Sequence, residues 1–261
     1  HLRGLRDATG PFSEKRRAML KVKEQLDYLV KMDPQHTGYQ RRMAETCQRL
    51  GSLEQVTGTG RNLFHNREID VSLYDPELLE RARSVQQKLV DAGQELPWVA
   101  VDLTDTLNVI ACFRFYTTDD LSYRECDTRS VEILEEMVHE FPDLEKLHIT
   151  LAIRLAESAK RDMSRSEFFL AAQLFVEAAK YYRQFLIKRP HDIGTRLDLG
   201  ETLILAGRCY EVTGEQADSA ENFAAAQEVL QQLKRLGPCP KHLQHKLQQF
   251  EEALNQGDST E

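Results

Sequence analysis

Cys239, His242 and His245 follow one another at three-residue steps, the side-chain types a zinc ion would use. Three ligands fall short of the four that close a structural zinc site, and Pro240 breaks the helical phase after the cysteine. No H-E-x-x-H helix offers another set. Glu135 and Glu136 are adjacent carboxylates, but helical neighbours point in different directions and do not converge as acid and base. There is no G-x-S-x-G elbow and no P-loop. The expectation is a chain with no catalytic residue, no metal and no cofactor.

The one cationic cluster is Lys15-Arg16-Arg17, continued by Lys21 and Lys23, which reads as the wet side of a first helix. The net charge of −8 disfavours nucleic acid and anionic membrane as partners. The longest apolar stretch, Phe168 to Tyr182, is broken by Gln173, Glu177 and Lys180, so membrane contact is not expected. Five cysteines, with no C-x-x-C, favour a reducing compartment and a cytoplasmic location. The sequence opens at His1 without methionine, which leaves room for an upstream domain.

Behind these side chains lies a period. Pro142, Pro190 and Pro238 are spaced 48 residues apart. On the same step Leu103, Leu151 and Leu199 coincide, then Leu107, Leu155 and Leu203, then Ala111, Ala159 and Gly207. Ser130, Ala178 and Ala226 align next, followed by Ile133, Tyr181 and Val229, and by Met137, Phe185 and Leu233. Large apolar residues at i and i+4 around a small residue make a helical stripe. Each unit reads as two helices: A ends at a turn such as Val212-Thr213-Gly214, and B runs to the next proline. Residues 94 to 193 contain no glycine, which favours helices of roughly 18 to 22 residues. Trp98, after Pro97, is expected to pack into the core.

The repeats are read as 35–94, 95–142, 143–190 and 191–238, with a lone N-terminal helix at 12–34 and a capping helix at 241–255. Repeat 1 is about twelve residues too long, because Met43, Cys47 and Gly51 match repeat 2 with a step of 60 and Ala82, Val85 and Leu89 with a step of 48. The surplus is placed in an inserted loop at 59–76, with Phe64, Ile69, Leu73 and Tyr74 as its bulky residues. That loop either packs along a neighbouring helix and protects its edge, or borders or occupies a binding groove. Such a period defines one all-α solenoid, in which each repeat packs on its neighbours.

Leu203-x-x-Ala206-Gly207-x-x-Tyr210, then Ser219, Phe223 and Ala226, resemble the tetratricopeptide repeat (TPR) signature. Repeat 3 keeps Leu155, Ser158, Ala159, Ala171, Phe175 and Ala178 and has Asp162 at the tyrosine position. Repeat 2 keeps Leu107, Ile110, Ala111 and Ser130, with Arg114 and Asp127 as departures; repeat 1 keeps Cys47, Leu50 and Gly51, with Glu54 at the tyrosine position. The phrase Tyr39-Gln40-Arg41-Arg42-Met43-Ala44, with Asp33-Pro34 before it and Leu50-Gly51 after it, is similar to long repeats in tails of multidomain bacterial serine/threonine kinases. His139-Glu140-Phe141-Pro142 is similar to the joint between those repeats. The resemblance implies a right-handed TPR-like solenoid of antiparallel helix pairs with a C-terminal capping helix.

The resemblance also implies that A helices line a concave groove. The residues beside the A-helix core stripe are Glu45, Gln48, Arg49 and Ser52 in repeat 1, and Asp105, Asn108, Cys112 and Phe115 in repeat 2. Repeat 3 offers Ile153, Glu157 and Lys160; repeat 4 offers Glu201, Arg208 and Glu211. Mixed charge with apolar patches suits a peptide or protein segment. The expected function is a non-catalytic protein–protein interaction scaffold. One alternative is a regulatory tail acting in cis on an upstream kinase, since this chain has no H-R-D and no D-F-G of its own. A weaker one is an enzyme of α/α architecture.

Overall fold

The computed structural model describes residues 11–52, 74–94, 96–117 and 121–257. Among them are ten α-helices and no strand: α1 (Pro11–Met32), α2 (Thr37–Gly51), α3 (Pro76–Asp91), α4 (Trp98–Thr117), α5 (Ser122–Glu140), α6 (Glu145–Ser164), α7 (Phe168–Lys188), α8 (Ile193–Thr213), α9 (Gln216–Arg235) and α10 (Gln244–Gly257). The helices α4 to α9 are 19 to 21 residues long, within the length expected from the spacing of breakers.

Local chemistry sets the ends. Asp192 Oδ1 accepts from the Thr195 amide at 2.7 Å and opens α8; Asp75 Oδ1 accepts from the Leu78 amide at 3.2 Å and opens α3. Gly214 closes α8 at φ 85°, a left-handed conformation that glycine reaches without strain. The helices α5, α7 and α9 stop two or three residues before Pro142, Pro190 and Pro238, where the proline ring excludes a further turn.

The chain forms two compact units, His1–Leu134 and Glu135–Glu261, and the division falls inside α5. In the first, α1 packs on α2, α2 on α3 and α3 on α4. Leu26, Met43, Ala44, Cys47 and Ala82 make one part of its core. In the second, α6 packs on α7, α7 on α8 and α8 on α9, and α10 lies against α8 and α9. Leu151, Leu155, Phe175, Leu199 and Leu203 are sealed from water there. Each such side chain contributes about 1.5–3 kcal/mol relative to exposure. Each unit is thus an all-α array of successively packed helices, the local arrangement of an α-solenoid.

The small residues of the stripe mark close approaches. A Cβ on Gly207 would sit 3.1 Å from the Phe223 ring of α9, and one on Gly51 would sit 2.8 Å from Leu79 of α3. On α7 the inward face differs from the sequence reading. Tyr181 and Phe185 are half-buried, while Tyr182 and Leu186 point into the core. The buried residues of α7 after Ala178 thus fall at steps of four and eight, a face rotated from the steps of three and seven buried on α5 and α9. Trp98 is 40% exposed, against expectation. As the first residue of α4, it has no preceding turn of its own helix to lean on.

Of the inserted loop, Phe64, Ile69 and Leu73 lie outside the described residues. Its exit is described: Tyr74 pairs with Ser52 in an isolated antiparallel bridge, and the Asp75 amide donates to the Gly51 carbonyl at 3.0 Å. Residues 52 and 74 therefore meet at the C-terminus of α2. The Tyr74 ring also packs on Phe113 of α4, with centroids 5.7 Å apart.

Candidate functional site

The A helices of the repeats correspond to α2, α4, α6 and α8. In the second unit, α6 and α8 carry their polar stripes toward one another. Lys160 Nζ donates to Glu201 Oε1 at 2.6 Å across 41 residues of sequence. Glu201 Oε2 is 4.0 Å from Lys246 of α10, and Lys246 also binds Asp198. The result is a ladder of alternating charge, from α6 through α8 to α10, with half-exposed side chains. Arg208 Nη2 donates to the Ala253 carbonyl of α10 at 3.1 Å. Glu157 pairs with Arg154 on its own helix, Ile153 is half-buried, and Glu211 is exposed.

Close packing aligns these groups. A Cβ on Gly200 would lie 2.4 Å from the Phe250 ring, so only glycine lets α10 settle this deeply on α8. Phe250 and Leu254 are buried in the contact. Tyr182 sits nearby, and burial pushes its phenol well above the usual range, helped by the carboxylates of Asp198, Glu157 and Glu201. Burial likewise pushes the Cys209 thiol up to about 11.

In the first unit, Arg41 Nε of α2 donates to Asp102 Oδ2 of α4 at 2.8 Å. Burial raises the Asp102 carboxyl, while its bond to Arg41 opposes the shift. Glu45 and Arg49 pair along α2 at 2.6 Å. Asp105 is half-buried. Phe115 is half-buried against Tyr123 and Tyr116, in edge-to-face contacts at 5.3 and 4.9 Å.

Four residues assigned to the groove are not on an open surface. Gln48, Ser52, Asn108 and Cys112 are 6% exposed or less. Ser52 Oγ donates to the Gln48 carbonyl at 2.9 Å and helps close α2. The stripe beside the core is narrower than a sequence count suggests, because packing on α2 and α4 reaches these positions.

No protein-family model matches the chain, and no curated protein matches it. A crystal structure of BtubC (BKLC) from P. vanneervenii is similar at 16% identity and a TM-score of 0.39, over 89% of this chain and 96% of that one.

The sequence reading missed Asp198, Lys246, Arg41 and Asp102, the cross-helix partners of the polar stripe. A signal existed for the first pair: opposite charges one repeat, 48 residues, apart. Among the described residues no group of three or more histidine, cysteine, aspartate or glutamate side chains is placed to hold a metal. Cys239 is half-buried, and His242 and His245 are exposed. Among the same residues no helix is long and apolar enough to cross a membrane. Arg16, from the basic run of α1, donates toward the Leu50 carbonyl at the end of α2 over 3.5 Å.

Proposed function

We propose that the chain is a non-catalytic protein–protein interaction scaffold of TPR-like type. In each unit it takes a peptide or protein segment along the half-exposed polar face of its A helices. The observation that carries this reading is the Lys160–Glu201–Lys246 ladder. It sets alternating charges side by side on α6, α8 and α10, where a bound segment can exchange its own carboxylates and amines for them. Exposed pairs of this kind are worth about 0–1 kcal/mol each, so a ligand displaces them at small cost.

The lining that supports the reading consists of Ile153, Glu157, Lys160, Glu201 and Arg208 in the second unit, and of Glu45, Arg49 and Asp105 in the first. Recognition by side-chain polar contacts with few apolar anchors fits an extended segment better than a large flat interface.

The test is capture of partners by the immobilised chain, compared with Lys160→Glu combined with Arg208→Glu. Loss of capture with helicity unchanged is expected. Because Arg208 also holds α10, Glu157→Lys is run beside it and should weaken capture without touching that contact. Unchanged capture by both variants overturns the assignment.

A further inference from the structure

A cleft of about 480 Å³ opens in the first unit between the B helices α3 and α5, with Leu107 of α4 in its floor. It is not on the A-helix face. Its rim carries three cations, Arg83, Lys88 and Arg129, in a chain whose net charge is −8. Among the described residues its lining holds one carboxylate, Glu125, which lies 3.7 Å from Arg114. Among the described residues, Arg83 and Arg129 find counter-charges only on their own helices, Glu80 at 2.9 Å and Glu132 at 3.3 Å. Such exposed pairs hold a guanidinium weakly. Lys88 is exposed and forms no ion pair with a described residue. The floor is neutral as well as apolar, because burial raises the Cys126 thiol and keeps it protonated.

We infer that this cleft is a second binding site, for an acidic segment of a partner protein. The segment places carboxylates against Arg83, Lys88 and Arg129 and one aliphatic side chain over Leu107. The volume is that of a site for a few side chains. Charge complementarity selects the occupant, since the rim carries three cations in a chain whose net charge is −8. The second unit has a comparable cleft of about 340 Å³ between α7 and α9 over Leu199, and it differs in chemistry. Its Arg196 is turned onto the Pro190 carbonyl at 2.6 Å, and Leu186, Ile187 and Val229 make its walls apolar.

The experiment uses the full chain and a fluorescein-labelled acidic pentapeptide with a central leucine, followed by anisotropy. Saturable binding that weakens with salt is expected, with a loss of about tenfold or more in the variant carrying Arg83→Gln, Lys88→Gln and Arg129→Gln. Arg183→Gln, in the other cleft, should leave binding unchanged. Ser84→Trp, at an exposed position of the lining, should plug the cleft, and it carries the same test if the triple variant loses helicity. The inference is overturned by equal binding in the charge and plug variants, or by no saturable binding at millimolar peptide. Competition by inorganic phosphate as strong as by unlabelled peptide also overturns it, since the site would then take a small oxyanion.

Discussion

Lys160 and Glu201 meet at 2.6 Å between α6 and α8, 41 residues apart and so seven short of a full repeat. The pair registers two A helices against each other and leaves both side chains partly in water. Reversing one charge puts like charges in contact; reversing both restores the pair. Lys160→Glu should cost about 0.5–1 kcal/mol, and adding Glu201→Lys should recover part of it. Urea denaturation of the two single variants and the double variant measures the coupling. The neighbour Lys246 limits the recovery, because it faces position 201 as well.

Gly200→Ala tests the seat of α10. Alanine favours helix by about 1 kcal/mol, but its Cβ enters the Phe250 ring, and overpacking costs about 1–3 kcal/mol. Net destabilisation is expected, with amide exchange accelerating in α10 before the rest of the unit. Phe250→Ala combined with Gly200→Ala should cost less than the sum of the two, since the clash vanishes with the ring.

Gln86 is 1% exposed, and neither its amide nitrogen nor its carbonyl oxygen has a partner among the described residues. One and two repeats later the same position holds Leu134 and Tyr182, both buried. Gln86→Leu should therefore stabilise the chain by about 1–2 kcal/mol, read as a higher denaturation midpoint. No gain would mean that the amide is satisfied in the folded protein.

Cys209 gives a pH dependence with a defined sign. Its folded pKa, about 11, lies above that of an exposed thiol, so the folded state holds its proton longer than the unfolded chain. The stability associated with the protonated thiol is fully present below about pH 8.5 and falls as pH rises toward 11. The slope is at most about 1.4 kcal/mol per pH unit. Stability measured from pH 8 to 11 should fall less steeply for Cys209→Ala than for the native chain, and equal slopes would remove the thiol as a cause.

Helix number, helix length and the punctuating prolines were all legible in sequence, because they depend on short-range chemistry: cap side chains, breaker residues and apolar spacing. The Gly214 cap is a clear case, since only the residue and its neighbours are involved. The candidate lining was half legible. Lys160 and Glu201 fell on the expected stripe and do meet, whereas Gln48, Ser52, Asn108 and Cys112 were assigned to a surface and are buried. A helical wheel orders side chains around one rod but does not say how wide a neighbour's footprint is.

The amino-acid order alone determined an all-α chain of stacked helix pairs, because a 48-residue return of small and large apolar residues admits few other ways to bury them. Tertiary structure decided which face of α7 turns inward, where α10 seats, which charges pair between helices, and that a cationic cleft opens between α3 and α5. Each of these depends on distances between helices that are remote in sequence. Those distances follow from the shapes of the packed side chains at the seams, such as the Phe250 ring on Gly200, and no local pattern encodes them.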